Sequence, residues 1–134
     1  MRPTLVDSNV LLDIFTEDSG WFDWSAGAVE RCAEESLLVV NPIIYAEVSV
    51  RFARIEDLED ALPAAAFRRD PLPWEAGFLA GKCYVDYRRR GGGRRSPLPD
   101  FYIGAHAAVA ELRLLTRDAA RYRTYFPTID ILSP

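Results

Sequence analysis

Cysteine is scarce in this chain: Cys32 and Cys83 are the only two among 134 residues, and they stand far apart. Neither has a second Cys or a His at ligand spacing. The sequence therefore offers no zinc or redox motif, and both thiols are expected to be buried in a reducing compartment. Histidine occurs once, as His106, and lysine once, as Lys82. Long apolar runs are missing as well. The longest, LLVVNPIIYA at 37–46, contains Asn41 and Pro42 and is far too short to span a bilayer. Asp7 and Asp13 interrupt the early apolar stretch, so no signal peptide is expected. Repeats, low-complexity segments and linkers are absent apart from the break Gly91-Gly92-Gly93. The expectation is a soluble cytoplasmic protein that makes no use of a membrane.

What is present suits one globular domain over residues 1–134, with 49% hydrophobic and 27% charged residues. A chain of this length buries roughly two thirds of its unfolded surface, so it needs no disulfide or structural metal to fold. The formal charge is −4, whereas simple nucleic-acid binders are usually basic. The bases are nearly all arginine, which forks onto phosphate better than lysine does. They also cluster, in YRRRGGGRRSPLPD.

Short apolar segments alternate with helical ones. Thr4–Val6, Leu37–Val40, Leu112–Thr116 and Ile129–Leu132 read as strands, the third despite Arg113. Helices are expected at Asn9–Phe15, Gly20–Glu35, from Asn41-Pro42 onward, Ile55–Leu62, Trp74–Arg90, from PLPD at 97–100 to Glu111, and Asp118–Tyr122. Asn41 is a natural N-cap and Pro42 a natural first-turn residue. Such alternation implies an α/β/α sandwich with a central parallel sheet. In these sheets ligands bind beyond the carboxyl ends of the strands.

Asp7 follows the first strand at that edge, and Asp118 follows the strand ending Leu114-Leu115-Thr116. Asp100 opens the helix DFYIGAHAAVAEL. Taken singly, Asp100 and Asp118 read most simply as helix caps. Glu47 lies among apolar neighbours in IIYAEVSV and needs a partner, with Arg51 one turn on as the plain choice and a metal as the other. If the four acids converge at about 6 Å, each pair repels by roughly 3 kcal/mol at an effective dielectric near 20. Six such pairs challenge a fold whose stability is about 5–15 kcal/mol. Protonation or a divalent cation must relieve them, and oxygen-only ligands favour magnesium or manganese. Such sites hydrolyse phosphodiesters.

VDSNVLLDIF, YAEV, PLPDFYIGAHA and LLTRDAARYRTYFP, in that order along nearly the whole chain, resemble the PIN-domain ribonucleases. Among these the chain is most similar to VapC-type toxins of toxin–antitoxin modules. The resemblance implies a three-layer sandwich and an Mg²⁺ or Mn²⁺ site of one or two ions. It implies cleavage of RNA by metal-activated water, leaving a 5′-phosphate and a 3′-hydroxyl. Asp7, Glu47, Asp100 and Asp118 match the family's acidic positions. Asp7 and Asp100 are then the most direct metal ligands and Asp118 completes the site or holds a second ion, while Glu47 binds through water or orients the nucleophile. Ser8, Asn9 and Thr116 are expected to support the pocket, and each reads equally as a turn or cap residue. The resemblance further implies a homodimer and a cognate antitoxin whose tail enters the acidic groove.

Other features have plainer readings. Arg88–Arg90 complement a helix terminus with Gly91 beyond it, while Arg94 and Arg95 are expected to meet RNA. His106 reads as a packed helix residue, Asp13 as facing solvent or a nearby arginine, and Tyr122 as packing the last strand. Trp21, Trp24 and Trp74 read as core or dimer surface. An aspartyl phosphatase needs a second Asp at the position of Asn9, and a receiver domain needs a late lysine after a strand, so neither fits. The remaining alternative is a catalytically idle PIN-like module that binds RNA or a protein.

Overall fold

The computed structural model of the protein describes residues 1–93 and 97–134. Its strands are β1 (Thr4–Val6), β2 (Leu38–Val40), β3 (Phe67–Arg69), β4 (Arg113–Leu115) and β5 (Ile131–Leu132). They form one parallel sheet in the order β3-β2-β1-β4-β5. From β1 the chain builds outward to β3, then crosses back to place β4 on the other side of β1. The strand order therefore reverses between β1 and β4. Loops leaving the carboxyl ends of strands diverge at such a reversal and open a crevice.

The helices are α1 (Ser8–Phe15), α2 (Phe22–Glu35), α3 (Pro42–Ser49), α4 (Ile55–Ala61), α5 (Trp74–Arg89), α6 (Leu98–Ala110) and α7 (Ala120–Tyr125). They cover both faces of the sheet, giving the expected α/β/α sandwich. α1 packs on α2 and α3, and α5 packs along α6. Because helices lie on both faces, the central strands are apolar without alternation. Leu5 is matched in register with Val39 and Leu114, and all three are fully buried. Asn41 caps α3 as its sequence suggests, accepting from Ile44 N at 2.9 Å, with Pro42 in the first turn.

Arg113 is the exception inside β4, and its partners explain it. It donates from Nε to Thr4 Oγ1 (3.0 Å) and pairs through Nη1 with Glu35 Oε2 (3.1 Å). β3 has no counterpart among the expected strands. Only Phe67 turns inward, while Arg68 and Arg69 are exposed on an edge strand, so the segment carries no apolar run to read. Gly91, with φ +90, follows α5 in the left-handed region that favours glycine at a helix end. Gly104 in α6 faces the buried ring of Phe126, where any Cβ would collide. Both cysteines are free and buried. Among the described residues, no helix is long and apolar enough to cross a membrane.

Candidate functional site

Asp7 occupies the carboxyl end of β1 and caps α1, its side chain accepting from Ser8 N at 2.7 Å. The capping role weighed for Asp100 and Asp118 thus falls to Asp7. α6 begins after Pro97 with Asp100 already in its first turn, and α7 after Ala119, neither with a side-chain cap. Asp7 Oδ2 accepts two further bonds, from Thr116 Oγ1 and Tyr122 OH, each 2.9 Å. Ser8 Oγ lies 3.5 Å from Oδ1, too long for a full bond. A carboxylate offers about four lone-pair sites, so Oδ1 retains one.

Thr116, one residue past β4, ties the crevice together. Its hydroxyl donates to Asp7 and accepts from Asn9 Nδ2 and Asp118 N, both at 3.2 Å. Asn9 Oδ1 in turn accepts from Arg117 N at 3.1 Å. The loop carrying Asp118 is thereby bound to the start of α1. Asp13 strengthens that junction rather than facing solvent. It is buried, accepts from Ser25 Oγ at 2.7 Å, and lies 3.1 Å from Arg117 Nε, whose guanidinium covers the Trp21 ring.

Asp7, Asn9, Asp100, Asp118, Arg121 and Tyr122 line one groove of about 390 Å³. Glu47, on α3, is not among the residues lining that groove; it accepts from Ser8 Oγ at 3.0 Å rather than pairing with Arg51. Asp100 Oδ2 meets Arg121 Nη1 at 2.9 Å. Arg94 and Arg95 lie outside the described residues.

Electrostatics set this groove apart. Burial pushes the Asp7 carboxyl above its ordinary value of 3.8; its Thr116 and Tyr122 bonds oppose the rise, and the charge of Asp100 adds to it. Burial also raises Glu47, helped by the charges of Asp7 and Asp100. Asp100 is raised by burial and by Asp118, against the pull of Arg121. The acids are close enough to feel one another. They are not drawn into contact, however: no three His, Cys, Asp or Glu side chains among the described residues form a ready-made metal cluster.

Tyr122 does more than pack. Burial, then the charges of Asp7 and Asp100, lift its phenol well above 10, so it remains a donor to Asp7. Arg121 and Tyr122 lie in the first turn of α7, immediately after the loop that carries Asp118. That nearness in the chain is the available signal for both. Tyr122→Phe removes one of two donors on Asp7 Oδ2 and is expected to destabilise the metal-free protein by about 1.5–3 kcal/mol at neutral pH. Urea denaturation measures this, and an unchanged midpoint would show the bond to be dispensable. His106 is buried in α6 against Asn41 Nδ2 (3.0 Å), away from the groove, as a packed residue.

Comparison with known proteins gives a consistent picture. The family whose pattern matches residues 4–127 is described as "PIN domain". Among curated proteins, none matches significantly. Similar solved structures include VapBC2 from Rickettsia felis bound to a promoter DNA fragment, at 14% identity and TM-score 0.75 over 98% of both chains. VapBC-1 from nontypeable Haemophilus influenzae is 14% identical, with TM-score 0.74 over 98% of this chain and 97% of that one. A toxin–antitoxin complex from Klebsiella pneumoniae is 18% identical, with TM-score 0.69 over 96% and 95%. At such identities the structural likeness establishes the fold alone.

Proposed function

As the chain belongs to the PIN-domain family, we propose that its groove is the active site of a divalent-metal-dependent endoribonuclease, the toxin of a toxin–antitoxin pair. One observation carries this reading. Three carboxylates, Asp7, Asp100 and Asp118, line a single groove at the reversal of strand order, and Arg121 is the one cation among its described lining residues.

The donor set fits a hard cation. It is all oxygen, without a thiolate or imidazole, which suits Mg²⁺ or Mn²⁺. Asp7 Oδ1 keeps a free lone pair, and a bound cation would offset the burial that chiefly raises Asp7 and Asp100 together with the lesser repulsion of Asp100 on Asp7 and of Asp118 on Asp100. Asp7, Asp100 and Asp118 would hold one or two ions. When bound, the metal supplies water activation and neutralises charge developing on the phosphodiester. Asp7 is oriented for this by Ser8, Thr116 and Tyr122, and Asp118 is positioned through its backbone bond to Thr116. Glu47, steadied by Ser8 Oγ and close enough to feel the charges of Asp7 and Asp100, would orient the attacking water and accept its proton. The water oxygen would bond to phosphorus as the P–O3′ bond breaks and the leaving O3′ takes a proton from solvent, giving 5′-phosphate and 3′-hydroxyl ends.

The similar structures named as toxin–antitoxin complexes support a cognate antitoxin as partner. A homodimer is supported by α5, where Trp74 (93% exposed), Phe78 (71%) and Val85 fall along one apolar stripe. The same stripe assigns Trp74 to the surface, whereas Trp21 and Trp24 pack against each other at 6.1 Å.

Mapping the 5′ ends of cellular RNA incubated with the purified protein tests the activity. Cleavage with Mg²⁺ or Mn²⁺, none with chelator, and new ends bearing 5′-phosphate are expected. Fragments appearing equally with chelator would refute it, and no fragments under any condition would favour the idle binding module.

A further inference from the structure

Among the described residues, Arg121 lines the groove together with three carboxylates and contacts one of them, Asp100. It lies in the first turn of α7, three residues after Asp118, with a side chain 42% exposed. A single N–H, from Nη1, reaches Asp100 Oδ2 at 2.9 Å, and the guanidinium is 6.0 Å from the centre of the Tyr87 ring. A guanidinium has five donors in a planar fork whose shape matches a phosphate as well as a carboxylate. A bond at one donor therefore leaves most of that fork available to another anion in the same groove.

We propose that Arg121 is a two-position cation: it holds Asp100 while no divalent ion is bound, and it grips the RNA phosphate once Asp100 turns to a metal. This rests on the metal-dependent reading above and adds a residue that contacts substrate. A divalent charge beside Asp100 repels the guanidinium, while an incoming phosphodiester brings the anion that Asp100 no longer offers it. Arg121 thereby competes with the metal when the groove is empty of RNA and favours the metal-and-RNA-loaded state. Being partly exposed, it has room to move between the two positions without unpacking the core.

The experiment uses the full chain as wild type, Arg121→Gln, Arg121→Lys and Asp100→Asn. Mn²⁺ binding is measured alone by electron paramagnetic resonance. Binding of a short 5′-phosphorylated oligoribonucleotide, against its 5′-hydroxyl counterpart, is then measured in Mn²⁺ by calorimetry. Arg121→Gln is expected to bind Mn²⁺ about three- to tenfold more tightly than wild type. It should also lose a preference of about tenfold for the phosphorylated oligonucleotide. Arg121→Lys should keep wild-type Mn²⁺ affinity and part of the phosphate preference. If either shift is missing from Arg121→Gln while Asp100→Asn abolishes Mn²⁺ binding, the two-position role is overturned and the metal reading stands. If Asp100→Asn binds Mn²⁺ as wild type does, both fall.

Discussion

Replacing Asp7 by Asn is expected to lower RNA cleavage by about a thousandfold, since metal stabilisation of a transition state is worth several kcal/mol and each ~1.4 kcal/mol is tenfold. The metal-free variant should nevertheless melt no lower than wild type. Asp7 is 4% exposed, and burial opposes its charge more strongly than its hydrogen bonds favour it. An Asn at this position can turn its oxygen to Ser8 N–H and its amide toward Tyr122 OH, which rotates to accept, whereas Thr116 Oγ1 already accepts from Asn9 Nδ2 and Asp118 N and gives up its bond here. The buried charge disappears at the loss of one hydrogen bond. Calorimetry and an RNA cleavage assay on the same preparation check the two halves together. Loss of activity accompanied by a collapse in melting temperature would mean that Asp7 serves the fold rather than the chemistry. A residue that costs stability and supplies function is the expected pattern at an active site.

A divalent ion is expected to stabilise the protein strongly at neutral pH and hardly at all near pH 4. At a hundredfold excess over its dissociation constant, a ligand specific for the folded state adds about 2.7 kcal/mol. For a chain of this size that is a rise of about 8–10 °C in melting temperature. The pH dependence follows from the direction of three shifts. Asp7, Glu47 and Asp100 all have folded-state values raised above their ordinary 3.8, 4.5 and 3.8. A raised carboxyl contributes stability that is fully present below its unfolded value and is lost as pH rises through the folded one. Without metal, these groups therefore weaken the protein as pH climbs out of the ordinary carboxylate range. Over the same interval they become ionised and able to bind Mn²⁺, so the ion's increment grows as the intrinsic contribution fades. Melting curves from pH 4 to pH 8, with Mn²⁺ and with chelator, for wild type and Asp7→Asn, isolate the effect. An increment that is independent of pH, or equal in the variant, would place the ion elsewhere.

Much of this architecture could be read from the chain. β1, β2 and β4 are short apolar runs buried on both faces, and the caps at Asn41 and the break at Gly91 depend on local chemistry that a sequence displays directly. β3 was hidden because an edge strand with Arg68 and Arg69 outward needs no apolar pattern. The acidic positions were also visible, as residues following strands or opening helices. Their partners were less so. Glu47 had a plausible mate in Arg51 at helical spacing, yet Ser8, far away in the chain, supplies its bond. Tyr122 looked like packing because an aromatic in a short terminal helix usually is.

The order of strands and helices, the carboxylates at the sheet's edge and the lack of soft metal ligands belong to the linear chain, because periodicity, capping and ligand chemistry act over a few residues. Which of those acids share a groove, that Thr116 and Tyr122 hold Asp7, and that Arg121 rather than another arginine faces Asp100 were decided only by the crossover placing β4 beside β1. The Asp7 contacts join residues about a hundred positions apart and the Arg121–Asp100 pair residues 21 apart, and local sequence carries no record of a pairing that the folding of the whole sheet creates.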